Sequence, residues 1–71
     1  MTIQEILKKI RKSLNISQET FARDLNVSYA TLNRWENNRA RPSRLAMDKL
    51  KDYCTTNDIP EDILSELLKY K

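Results

Sequence analysis

The chain has no glycine and no histidine, one cysteine and two prolines. Each shortage removes a class of answer. Without glycine there is no phosphate-cradling loop of the kind nucleotide-binding enzymes build, and β-hairpin turns lose their usual residue. Without histidine there is no catalytic imidazole and no metal site of the ordinary nitrogen-and-sulfur type. A lone Cys54 excludes an intramolecular disulfide and reads as a small buried apolar residue on a helix. No apolar run approaches the roughly 20 residues of a membrane-spanning helix, and the N-terminal residues lack a signal-peptide core, so the expected location is cytoplasmic. The only clustered carboxylates, Asp58, Glu61 and Asp62, are explained by helix-terminus chemistry. So short a chain also lacks an enclosed pocket. The expectation is therefore no enzyme, no cofactor, no metal and no small-molecule ligand.

What is present suits a small helical protein. The 71 residues, 39% hydrophobic and 32% charged, are enough for one domain over residues 1–71. Its core would remove about 60% of the unfolded chain's surface from water. With turn chemistry this sparse, the expected fold class is all-α. Charge is uneven. Eleven basic residues face five acidic ones through residue 51, and two face five in the last 20, so the net charge of +3 hides a basic front and an acidic tail. Anions should meet the front.

Helix signals recur along the chain. Thr2 with Glu5 three residues later forms a capping box, Met1 and Ile6 a hydrophobic staple, and Ile6, Leu7, Ile10 and Leu14 an apolar stripe. Ser17 starts a second helix with Ile16 and Phe21 as staple, and Ser28 a third with Val27 and Leu32. Asn15, Asn26 and Asn38 follow these helices where a left-handed residue ends a helix. Asparagine tolerates that geometry next best after glycine, which reconciles three sharp turns with the absence of glycine. Pro42 and Ser43 open a fourth helix with Ala46, Met47, Leu50, Tyr53 and Cys54 on its inner face. Thr55 to Ile59 reads as a loop. Pro60 reads as the first residue of a fifth helix that runs to about Tyr70. Its Ile63, Leu64, Leu67 and Leu68 form an apolar face that either a second subunit or the rest of the chain covers.

The most informative stretch is Ser17 to Asn38. It spells two short helices with three residues between them, in the register Gln18, Ala22, Asn26-Val27, Leu32, Trp35. A steep crossing of two helices needs a small residue, and Ala22 supplies it, while Val27, Leu32 and Trp35 face inward. Tyr29, Ala30, Asn33, Arg34 and Asn37 face the other way, on a polar and basic side. This is the pattern of a DNA-binding helix-turn-helix over about residues 17–38. Trp35 at an inward register reads as core rather than as a base-stacking platform.

The stretch LKKIRKSLNISQETFARDLNVSYATLNRWENNRARPS, roughly residues 7 to 43, resembles the Xre and phage-repressor (Cro-like) helix-turn-helix regulators. The most specific pieces are Ser17-Gln18, Ala22, Val27-Ser28, Leu32, Trp35-Glu36-Asn37 and Pro42-Ser43. The three asparagines depart from the family's usual glycines. The resemblance implies a five-helix bundle of the lambda repressor-like type whose third helix lies in the major groove. It implies that Gln18 holds a phosphate and braces Tyr29, and that Tyr29, Ala30 and Arg34 read bases, with Ser28, Thr31 and Asn33 at the margin. It further implies that Asn37, Arg39 and Arg41 meet the phosphate backbone, and that Arg11 pairs with Glu36.

The chemistry fits those roles. The planar fork of Arg34 matches the O6 and N7 acceptors of guanine, a contact worth about 1–3 kcal/mol of discrimination, and the methyl of Ala30 or Thr31 suits the thymine methyl. Phosphate contacts position the helix without reading sequence. The expected function is a sequence-specific, double-stranded DNA-binding transcription regulator, a repressor or small controller protein, with a homodimer formed through the fifth helix. Two alternatives remain open. One is an antitoxin-like or adaptor module that holds a protein through the fifth helix, with DNA binding secondary. The other is non-specific nucleic-acid binding through basic charge alone.

Overall fold

The computed structural model describes residues 1–70; Lys71, counted above among the basic residues and as the last residue of the domain, lies outside them. Five helices make up the architecture: α1 (Ile3–Leu14), α2 (Gln18–Asp24), α3 (Tyr29–Glu36), α4 (Arg44–Thr56) and α5 (Glu61–Lys69). The described residues contain no strand, so the class is all-α.

Four of the five helices begin on the same local device. The hydroxyls of Thr2, Ser17, Ser28 and Ser43 accept from the backbone N–H three residues on, which satisfies a donor the helix itself leaves free. At Thr2 the capping box closes, because Glu5 Oε1 accepts from the Thr2 N–H at 3.2 Å and from its hydroxyl at 2.8 Å. These hydrogen bonds hold the Glu5 carboxyl below its ordinary range. The fifth helix differs by one position from expectation. Pro60 is its N-cap, with no side-chain bond, and Glu61 and Asp62 occupy the first turn.

Helix ends repeat a second device. Asn15, Asn26 and Asn38 adopt left-handed geometry at φ 55°, 59° and 59°. The next residue's N–H then reaches back five positions: Ile16 to Arg11, Val27 to Ala22 and Arg39 to Arg34. Such a bond satisfies a carbonyl near the helix end and reverses the chain sharply. A fourth copy stands at Asp58, φ 58°, where the Ile59 N–H reaches the Cys54 carbonyl at 3.1 Å. This corrects the reading of residues 55–59 as a loop, since α4 continues to Thr56 and the turn is a helix cap. The link between α2 and α3 likewise runs over Leu25–Ser28, one residue longer than the spacing suggested.

One core cluster joins all five helices. Ile6, Leu7, Ile10, Phe21, Leu32, Leu50, Cys54 and Leu67 have no exposure, and Ile3, Ala22, Leu25, Trp35, Met47, Ile59 and Ile63 complete the cluster. Leu14 and Val27 are only partly buried at its edge, Val27 less inward than its register suggested. Met1 stays 51% exposed, and its ammonium lies 3.5 Å from Glu66 of α5. Helix α1 packs against α3 and α5, α2 against α3, and α4 against α5. Each short helix thus gains stability from apolar contact rather than from propensity, as helices of seven to nine residues must.

Candidate nucleic-acid interface

Two rigid supports aim α3. From behind, Leu32 and Trp35 sit in the core at 0% and 5% exposure. At its end, Glu36 is buried at 1% exposure and is held by Arg11 of α1 in a two-point contact, Nε to Oε2 at 2.9 Å and Nη2 to Oε1 at 2.7 Å. The fork of an arginine fits a carboxylate in this way, and the pair fixes the angle between α1 and α3. A separate contact ties α2 to α4. Tyr53 donates to Asp24 Oδ2 at 3.0 Å while its ring packs against Phe21 at 5.4 Å. Burial first, then the bond to and charge of Asp24, push the Tyr53 phenol up to about 12. Nothing in helical spacing marks that contact in advance, because the two partners are 29 residues apart.

On the opposite side of α3, Tyr29, Ala30, Arg34 and Asn37 are exposed, with Tyr29 at 51%. Thr31 and Asn33 are half-buried. Arg39 and Arg41 are exposed on the segment between α3 and α4. Among the described residues the ion pairs are Arg11–Glu36, Lys69–Glu66 and the N-terminal ammonium with Glu66. Arg34, Arg39 and Arg41 therefore have no acid partner among the described residues. Their charge is directed outward, and an external anion is the natural counterpart.

Three polar side chains are held by bonds within the chain, and one of them, Gln18, differs from expectation. Gln18 Oε1 accepts from Asn33 Nδ2 at 3.3 Å, so the side chain it braces is Asn33 and not Tyr29. The reason is position: Asn33 stands one helical turn beyond Tyr29, on the flank of α3 turned toward the start of α2. The Ser28 hydroxyl is engaged as a cap, accepting from the Thr31 N–H at 3.0 Å and donating to Thr31 Oγ1 at 2.8 Å. Asn37 Nδ2 donates to the Asn33 carbonyl at 2.8 Å, which sets the amide orientation. Arg41 leans on the Tyr70 ring, its guanidinium carbon 5.5 Å from the centroid.

With α1 to α4 in this arrangement, the comparison with protein families is decisive. A family model described as helix-turn-helix matches residues 7–55. The chain belongs to that family. It is the helix-turn-helix family of Xre and phage-repressor-like proteins, whose members are typically DNA-binding regulators. The matched segment runs from the middle of α1 to the last turn of α4 and leaves α5 outside it. In comparisons with curated proteins and with solved structures, nothing matches the chain. No helix among the described residues is long and apolar enough to cross a membrane.

Proposed function

We propose that this helix-turn-helix protein is a sequence-specific, double-stranded DNA-binding transcription regulator, a repressor or small controller protein of the cytoplasm. Residues 1–71 act as a single, non-catalytic domain. The observation that carries the reading is Arg34, exposed on α3 with no acid partner among the described residues, on the side away from the buried Leu32 and Glu36. In this reading α3 enters the major groove, Tyr29, Ala30 and Arg34 meet base edges, and Ser28, Thr31 and Asn33 lie at their margin. Gln18, Asn37, Arg39 and Arg41 contact the phosphate backbone and set the register.

One such unit offers little contact surface, so the working form is a homodimer. Leu68, 58% exposed on α5, and the half-buried Leu64 beside it support that helix as the contact. Two-fold symmetry would then set two recognition helices about 34 Å apart and demand inverted half-sites roughly one helical turn apart.

Selection of bound sequences from a random duplex library tests the proposal as a whole. The expected result is an enriched inverted repeat whose half-sites are specified at positions facing α3. Recovery of duplexes with no common sequence would leave only binding by charge. A chain that ignores duplex DNA yet captures a protein through α5 would point to the adaptor role instead.

A further inference from the structure

The segment after α3, the first two turns of α4 and the end of α5 enclose a cleft of about 470 Å³. That size lies within the range of small-molecule sites. Its walls carry Arg41, Arg44 and Lys51, with Asp48 the one acid among the described residues that line it. None of the three cations forms an ion pair among the described residues. Its floor is apolar, with Pro42 and Met47 buried. At one side the Tyr70 ring supports the Arg41 guanidinium at 5.5 Å. The Tyr70 hydroxyl is the one buried side-chain polar atom among the described residues with no hydrogen-bond partner. A buried hydroxyl without a partner is costly, so such an atom calls for an acceptor.

We propose that this cleft binds a small organic anion. Its carboxylate or phosphate group is held by Arg41, Arg44 and Lys51, and a small turn of the Tyr70 side chain, which lines the cleft, brings its buried hydroxyl out to donate to that group. Its apolar body rests on Pro42 and Met47. The inference stands apart from DNA reading by α3, although the two meet at Arg41: a ligand that engages this guanidinium withdraws it from the backbone contact proposed above. A phosphate group could also come from the duplex itself, and the test separates the two sources.

Phenyl phosphate and inorganic phosphate are titrated separately into the DNA-free protein, with the Met47 methyl and Tyr70 ring signals followed by NMR. Phenyl phosphate is expected to saturate and to move both signals, with inorganic phosphate binding at least tenfold more weakly for want of an apolar body. Tyr70→Phe is expected to weaken phenyl phosphate about tenfold while the circular dichroism is unchanged. Lys51→Gln provides a second variant at a half-buried surface position, with a loss of similar size. Shifts that never saturate, or equal binding of the two phosphates and of the variants, would reduce the cleft to a charged patch and overturn the proposal. Failure of phenyl phosphate to bind, together with weaker duplex binding by Tyr70→Phe, would assign the cleft to the DNA backbone and overturn it as well.

Discussion

Glu36 shows how one side chain can be both a liability and a determinant of shape. Its carboxylate is withdrawn from water and is compensated by the two Arg11 hydrogen bonds. Arg11→Met leaves that buried charge unpaired and is expected to cost roughly 3–5 kcal/mol, read as a drop in the urea midpoint. Replacing both partners, Arg11→Met with Glu36→Leu, should recover most of the loss, because no charge then remains buried. Equal losses in the single and double variants would show that the pair adds shape alone.

Cys54 gives a second expectation at this scale. Burial pushes its thiol from the ordinary 9.0 up to about 11. Between those values the unfolded chain has released the proton that the folded chain still holds, so rising pH favours unfolding. Stability should be level below about pH 9 and decline toward 11, with Tyr53 extending the decline toward 12. In Cys54→Ala the lower part of that decline should flatten in denaturation series run from pH 8 to 11.

At the scale of the element, four turns of one design replace what glycine would normally do. A left-handed conformation costs most residues about 1–2 kcal/mol, and asparagine offsets part of that through local bonding. Asn26→Ala is therefore expected to destabilise by roughly 1 kcal/mol, which in a chain of this size lowers the thermal midpoint by about 4–8 °C. Asn26→Gly should be neutral or slightly stabilising. The same contrast at a right-handed position such as Leu25, φ −84°, would follow packing instead.

Three of these turns were legible in the chain because Asn15, Asn26 and Asn38 each follow an apolar periodic stretch. Asp58 was not legible. An aspartate rarely takes that role, and Thr55 and Thr56 before it weaken the helical pattern, although the Tyr53 carbonyl still accepts from Asn57. The N-caps were legible without exception among the hydroxyl residues, since a cap and its partner lie three residues apart. Contacts of that range are written in local order.

For the whole molecule the governing quantity is the distribution of charge. Arginines at positions 34, 39 and 41 lie on α3 and the segment beyond it, with no acid paired to them among the described residues. Duplex affinity should fall steeply with salt, linearly on a log-log plot, as each phosphate contact releases a condensed counterion. Arg39→Gln is expected to weaken every sequence alike and to reduce that slope by about one. Arg34→Ala should instead cost about 1–3 kcal/mol on the selected sequence and little on a random one. A uniform loss from both substitutions would leave charge as the only determinant.

The order of the residues by itself determined the all-α class, the hydroxyl caps, three of the turns, the register of Leu32 and Trp35, and the exposure of Tyr29, Ala30, Arg34 and Asn37, though not of Asn33. Each depends on spacings of a few residues, over which helical geometry is fixed. Tertiary structure alone decided that Gln18 braces Asn33, that Tyr53 reaches Asp24, and that Arg41 and Tyr70 come together beside α4. Those partners lie 15 to 29 residues apart along the chain. Only the angles at which the helices pack, set by how the core side chains fill their common space, bring such groups within reach.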